Sequence, residues 1–198
     1  MAKFVAIVSS EVVVNKLDAA LRQIDTAIWL WFNEGDIVSV VTLTGAGIGI
    51  LDDLFQHQKK GRPHPFSEAF IGVGMRPRDA RAAVKEAQAF AKHARTDPDK
   101  RQEYRRQFAA TYLFLAVAAY GEFVGHPGGR SLGDVFSFWY GIHFPDSFDP
   151  ASFPPQSPQE RVEVDRLKKF SRAEFFKEVA GGLSKGRGRS NLLIPPWG

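Results

Sequence analysis

Two apolar periodicities separated by four residues constrain this chain more than any other feature in it. From Asn15 onward Leu17, Ala20, Leu21, Ile24, Ala27, Ile28 and Trp31 recur at helical spacing, with Lys16, Asp18, Arg22 and Asp25 on the opposite face. Asn15 carries a side-chain oxygen suited to capping that helix. Asn33-Glu34-Gly35-Asp36 then breaks the pattern. Gly35 suits a left-handed C-terminal cap, and Asp36 suits the N-cap of the next element. A second helix is expected over Ile37–Gln58, with Val38, Val41, Ile48, Leu51, Leu54 and Phe55 inward. So short a break forces the two helices into an antiparallel hairpin.

The rest of the chain reads as further helices divided by Gly and Pro. Gly61–Arg76 is loop-like, and Pro77 suits the first position of a helix running to about Ala94. Pro98 ends it by pushing Asp97 out of helical geometry. A strongly apolar helix is expected over Arg101–Phe123, a turn at His126–Gly129, and a short aromatic helix over Leu132–His143. Pro145–Pro158 reads as a proline-rich linker. Gln159–Val179 reads as helix, broken near Ser171, which can cap the final helical turns. The spacing therefore predicts an all-α, up-and-down bundle of five to seven helices. Its divisions are an N-terminal segment (1–14), a helical bundle domain (15–149) and a linker, C-terminal helix and docking tail (150–198).

Composition narrows the chemistry. A chain of 198 residues with 44% hydrophobic and 24% charged residues has the balance of a folded domain. It has no cysteine, which removes disulfides, thiolate nucleophiles and cysteine-based zinc sites and fits a cytoplasmic location. The formal charge of +4 is mild for a nucleic-acid-binding surface, and much of the excess lies in the tail. The opening MAKFVAIVSSEVVV has the small and apolar residues of a signal peptide, but Ser9, Ser10 and Glu11 break the run. Phe108–Ala119 is the most apolar stretch. It is shorter than a membrane span and reads as a buried core helix, so no membrane partner is expected.

Ser39–Ile50, SVVTLTGAGIGI, is the ambiguous segment. Read alone it is a β-branched strand entering a Gly-rich turn, the pattern that cradles a dinucleotide phosphate, and Thr44-Gly45-Ala46-Gly47-Ile48 resembles the NAD loop of sirtuins. The glycines at 45, 47 and 49 do not make the dinucleotide-binding order, and an amphipathic helix rather than a strand precedes them. The preferred reading is that small residues let a neighbouring helix approach closely. No cofactor is expected.

Three segments carry a family resemblance. KLDAALRQIDTAIWLWFNEGDIVSVVTLTGAGIGILDDL (Lys16–Leu54), AFAKHARTDPD (Ala89–Asp99) and FSFWYGIHFPD (Phe136–Asp146) resemble, in the same order, a family of uncharacterised bacterial helical proteins. The opening hairpin also looks like that of HEPN domains, helical bundles found in nucleotide-binding and RNase toxin proteins. The resemblance implies a helical fold. It also implies histidines at the positions that here are Val41, Ile48 and Asp52, which share one helical face; of that wider set only His93 remains. HEPN nucleases pair an Arg with a His a few residues away, and Arg81 and His93 are too far apart for that motif.

The best polar constellation is His93, Arg95 and Asp97, at a helix end where a His, an Arg and an Asp suit acid–base work or phosphate binding. The plainer reading is an ordinary cationic last turn with an Asp-Pro stop. His57, His64, His126 and His143 show no metal-ligand spacing. Phe136, Phe138, Trp139 and Tyr140 read as core more readily than as a stacking platform. Lys185, Arg187 and Arg189 could touch nucleic acid, and Leu192–Trp197 is apolar enough to dock into a groove, on its own domain or on a neighbour's. The leading expectation is a non-enzymatic interaction or structural protein. It self-associates, or docks to a protein partner, through helix faces and the tail. The alternative is a HEPN-like enzyme or nucleotide- or RNA-binding protein using the region around His93.

Overall fold

A computed structural model describes residues 12–58, 99–124, 132–148 and 157–182, the backbone onward to Gly186, and Ala82, Glu86 and Phe90. Six α-helices are present among these residues, and no strand: α1 (Lys16–Phe32), α2 (Ile37–Gln58), α3 (Arg106–Val124), α4 (Leu132–His143), α5 (Pro158–Leu167) and α6 (Arg172–Gly186). A single 3₁₀ turn, Pro145–Ser147, follows α4. The chain is thus an all-α bundle within the expected range of helices. Ala82, Glu86 and Phe90 are helical too, as the spacing from Pro77 predicts.

The opening hairpin forms as its sequence predicts. Asn15 and Asp18 make a reciprocal capping box: the Asp18 amide donates to Asn15 Oδ1 at 2.8 Å, and the Asn15 amide donates to Asp18 Oδ2 at 3.4 Å. At the break, the Gly35 amide donates to the Leu30 carbonyl at 2.8 Å, closing a Schellman turn. The left-handed residue of that turn is Glu34, at φ 55°, and not Gly35. Gly35 still sits tightly, because a Cβ there would lie 2.8 Å from Leu30 Cδ2 and the Leu30 side chain would have to shift. Asp36 caps α2, accepting from both the amide and the hydroxyl of Ser39 at 2.8 Å each.

The segment from Ser39 to Ile50 lies inside α2 and is helical throughout. Gly47 explains why. A Cβ on it would lie 2.9 Å from Ile24 Cγ1 and 3.3 Å from the Ala20 carbonyl, so α1 and α2 are closer there than any larger residue allows. Gly49, by contrast, faces open space. The inward face of α2 also differs from expectation at one point. Val38 is 38% exposed, and Val40 and Thr44 take core positions instead. Thr44 returns its hydroxyl to the Val40 carbonyl at 2.7 Å, so its burial leaves no donor unpaired.

α2 packs on α1 and α3, while α1 also meets α4 and α6. Aromatic rings fill the centre. Phe32 stacks on Phe176 at 4.9 Å and on Phe175 at 5.9 Å, and meets Phe136 and Trp139 edge-on. The C-terminal helix therefore lies in the same core as the opening hairpin. Tyr140 stacks on Phe114 at 4.4 Å, and its buried hydroxyl is satisfied by Thr111 at 3.1 Å and Ser147 at 3.3 Å.

Two boundaries depart from the sequence reading. α3 begins at Arg106 rather than Arg101, because Tyr104 turns inward on a non-helical backbone and its ring meets Phe90 edge-on at 6.2 Å. α5 begins at Pro158, where Ser157 and Glu160 form a second capping box. The break near Ser171 stands where expected, and the Glu174 amide donates to Ser171 Oγ at 3.3 Å. α2 and α3 are each long and apolar enough, by length and composition, to cross a membrane. No such segment was expected. The glycines of α2 do not interrupt it, so its 22 residues run on as one helix. Within the bundle the buried faces of both helices are part of the shared core.

Candidate functional site: an apolar cavity along α4

A large concavity runs along the outer side of α4. It holds about 1150 Å³ between α3, α4, the 3₁₀ turn and α5. Its walls are mainly apolar: Phe114 and Val117 from α3, Phe138 and Ile142 from α4, Phe148, and Val164 from α5. Helical spacing produces this wall. Phe138 and Ile142 stand four residues apart on α4, so they share one face. Phe136, Trp139 and Tyr140 point to other faces and are buried. The aromatic cluster of α4 is therefore core at three positions and open at one, with Phe138 43% exposed.

The polar groups at the rim are few. Asp134, Ser137, Asp146 and Lys168 contribute; Asp146 and Lys168 are exposed and Asp134 is half-buried. Nearby His143 stacks on Trp139 at 4.5 Å, and its Nδ1 donates to the Trp139 carbonyl at 2.9 Å. Burial pushes its pKa down. The hydrogen bond to Trp139 opposes that shift, and the Lys168 charge adds to it. This histidine makes no hydrogen bond to a hydroxyl or carboxylate among the described residues. A wall of this kind can hold an apolar chain segment, with little to activate a nucleophile.

His93, Arg95 and Asp97 lie outside the described residues, as do His64, His126, Arg187, Arg189 and Leu192–Trp197. Lys185 falls in the last turn of α6. Val41 and Ile48 are buried core residues, and Asp52 is half-buried further along α2. His57 is exposed. Among the described residues no group of three or more His, Asp or Glu is placed to hold a metal ion. Sequence reasoning found α4 but not the cavity, because Phe114, Phe148 and Val164 come from separate segments and no spacing links them.

Comparison with protein-family models, with curated proteins and with solved structures finds no match to this chain.

Proposed function

We propose that this protein is a non-enzymatic, cytoplasmic interaction protein that self-associates, with the cavity along α4 receiving the apolar tail Leu192–Trp197 of a second copy. The size and lining of the cavity carry this reading. At about 1150 Å³ it exceeds the roughly 300–1,000 Å³ of ordinary small-molecule pockets. It suits a short peptide better than a metabolite, which would want more convergent polar groups. The sequence Leu-Leu-Ile-Pro-Pro-Trp has the matching chemistry: four large apolar side chains and two prolines that favour an extended, low-entropy backbone. Phe138, exposed in the wall, offers the ring surface against which such a segment packs.

Light scattering coupled to size-exclusion chromatography tests the proposal on three proteins: the full chain, a chain ending at Gly186, and Phe138→Glu. The full chain is expected at dimer mass and the other two at monomer mass. A monomeric full chain, or a truncated chain that remains dimeric, overturns the reading.

A further inference from the structure

α5 forms one side of the cavity along α4, through Val164 and Lys168. It is anchored far less than its neighbour. Of its ten residues only Leu167 is buried, whereas α4, two residues longer, buries six. Val164 is half-buried at the cavity, and Val162 is 71% exposed.

What shapes α5 comes mostly from within it. Ser157 and Glu160 close the capping box at its start. Arg166 forks onto both carboxylate oxygens of Glu163, one turn back, at 2.9 and 2.6 Å. These bonds order the helix without tying it to the bundle. Two contacts do tie it. Leu167 enters the shared core from the last residue of α5. Arg166 also reaches Glu178 of α6 at 2.9 Å, and both side chains are about half in solvent. An ion pair so exposed holds weakly. Leu167 sits next to the short turn that leads into Ser171 and α6, where the Phe170 amide donates to the Leu167 carbonyl at 3.2 Å. The strong anchor is thus at the joint, and the weak one is all that fastens the charged face beyond it. An element with few buried apolar contacts opens ahead of the core it borders.

We infer that α5 is a lid over the cavity, pivoting at Leu167–Phe170 and latched shut by the Arg166–Glu178 pair. With α5 in place, Val164 and Lys168 close one side of the cavity. With α5 swung out, Phe138 and Ile142 face an open groove along which an extended segment can lie. The lid's part in admitting the tail rests on the docking reading above; its motion does not.

The chain has no cysteine, so one introduced thiol reports access without background. Ile142→Cys puts that thiol in the cavity wall, at a position only 7% exposed. Ala116→Cys puts it at a fully buried position of α3 outside the cavity lining. Both are made in full-length protein and reacted with a maleimide under native conditions. The thiol at 142 is expected to react at least about a hundredfold faster than that at 116, because the lid opens without global unfolding. Adding Glu178→Gln removes the latch and is expected to speed labelling at 142 by roughly two- to fivefold, the range that an exposed ion pair allows. Glu163→Gln removes only the pair inside α5 and is expected to leave that rate unchanged. Neither change is expected to alter labelling at 116. Val117→Cys, across the cavity on α3, repeats the measurement should the shorter side chain at 142 loosen the core. A cavity thiol that reacts no faster than the one at 116, or that ignores Glu178→Gln, overturns the lid. Docking is read separately, from protein concentration. Labelling at 142 that slows as concentration rises reports a tail in the cavity. A rate independent of concentration counts against docking, and the lid is still decided by Glu178→Gln.

Discussion

Asp25 is half-buried on α1 and makes no hydrogen bond or ion pair among the described residues, so burial alone raises its pKa to about 6 from the ordinary value of 3.8. A carboxyl with a raised folded-state pKa binds its proton more tightly in the native chain than in the unfolded one. The cost of ionising it is therefore absent below about pH 4, grows between pH 4 and 6, and is complete above. At neutral pH this cost is of order 3 kcal/mol at most. Asp25→Asn is expected to raise the urea midpoint at pH 7 and to leave it nearly unchanged at pH 4, as denaturation at the two pH values reads directly. The neighbouring Tyr120 hydroxyl responds to the same surroundings: burial raises its pKa, and the charges of Asp25 and Asp18 add to it. The glycines of α2 offer a second residue-scale contrast. Gly47→Ala places a Cβ 2.9 Å from Ile24 and is expected to destabilise by roughly 1–3 kcal/mol. Gly49→Ala meets nothing within 4 Å and is expected to stabilise by about 1 kcal/mol through helix propensity. Opposite shifts in melting temperature confirm that one glycine serves packing and the other does not.

At the scale of the element, helix starts are set by short side chains that accept from the first turn. Asn15, Asp36, Ser157 and Ser171 all act in this way. The four differ in the residues that the capped turn carries. After Ser171 come Phe175 and Phe176, both buried against Phe32, so fraying of that turn reaches the core at once. Ser171→Ala is expected to lower stability by about 1–2 kcal/mol. Asn15→Ala, ahead of the exposed Lys16 and half-buried Leu17, falls at the lower end of the capping range, near roughly 0.5 kcal/mol. Equilibrium unfolding in urea compares them. The caps at Asn15, Asp36 and Ser171 were legible because each is a local rule read within four residues, whereas Ser157 lay in the stretch read as a proline-rich linker. The start of α3 was not. Helical propensity alone carries that helix back to Arg101, and only the inward turn of Tyr104 sets its first residue at Arg106.

For the molecule as a whole, the amino-acid sequence by itself determined the helical class, the hairpin and most helix boundaries, because each arises from apolar spacing and short-range hydrogen bonding. Leu132–His143 and the break at Ser171 were read from the chain in the same way. It also showed α4 as aromatic, and three of its four rings are core as the spacing suggested. The tertiary structure decided what no local pattern contains. It made Gly47 a point of close approach and Gly49 a free surface, although both sit in one apolar run. It opened Phe138 onto a cavity with side chains from α3 and α5. The physical reason is the same in each case. A helix specifies its own hydrogen bonds, but what each face meets depends on which other helix packs there, and that is a property of the assembled core.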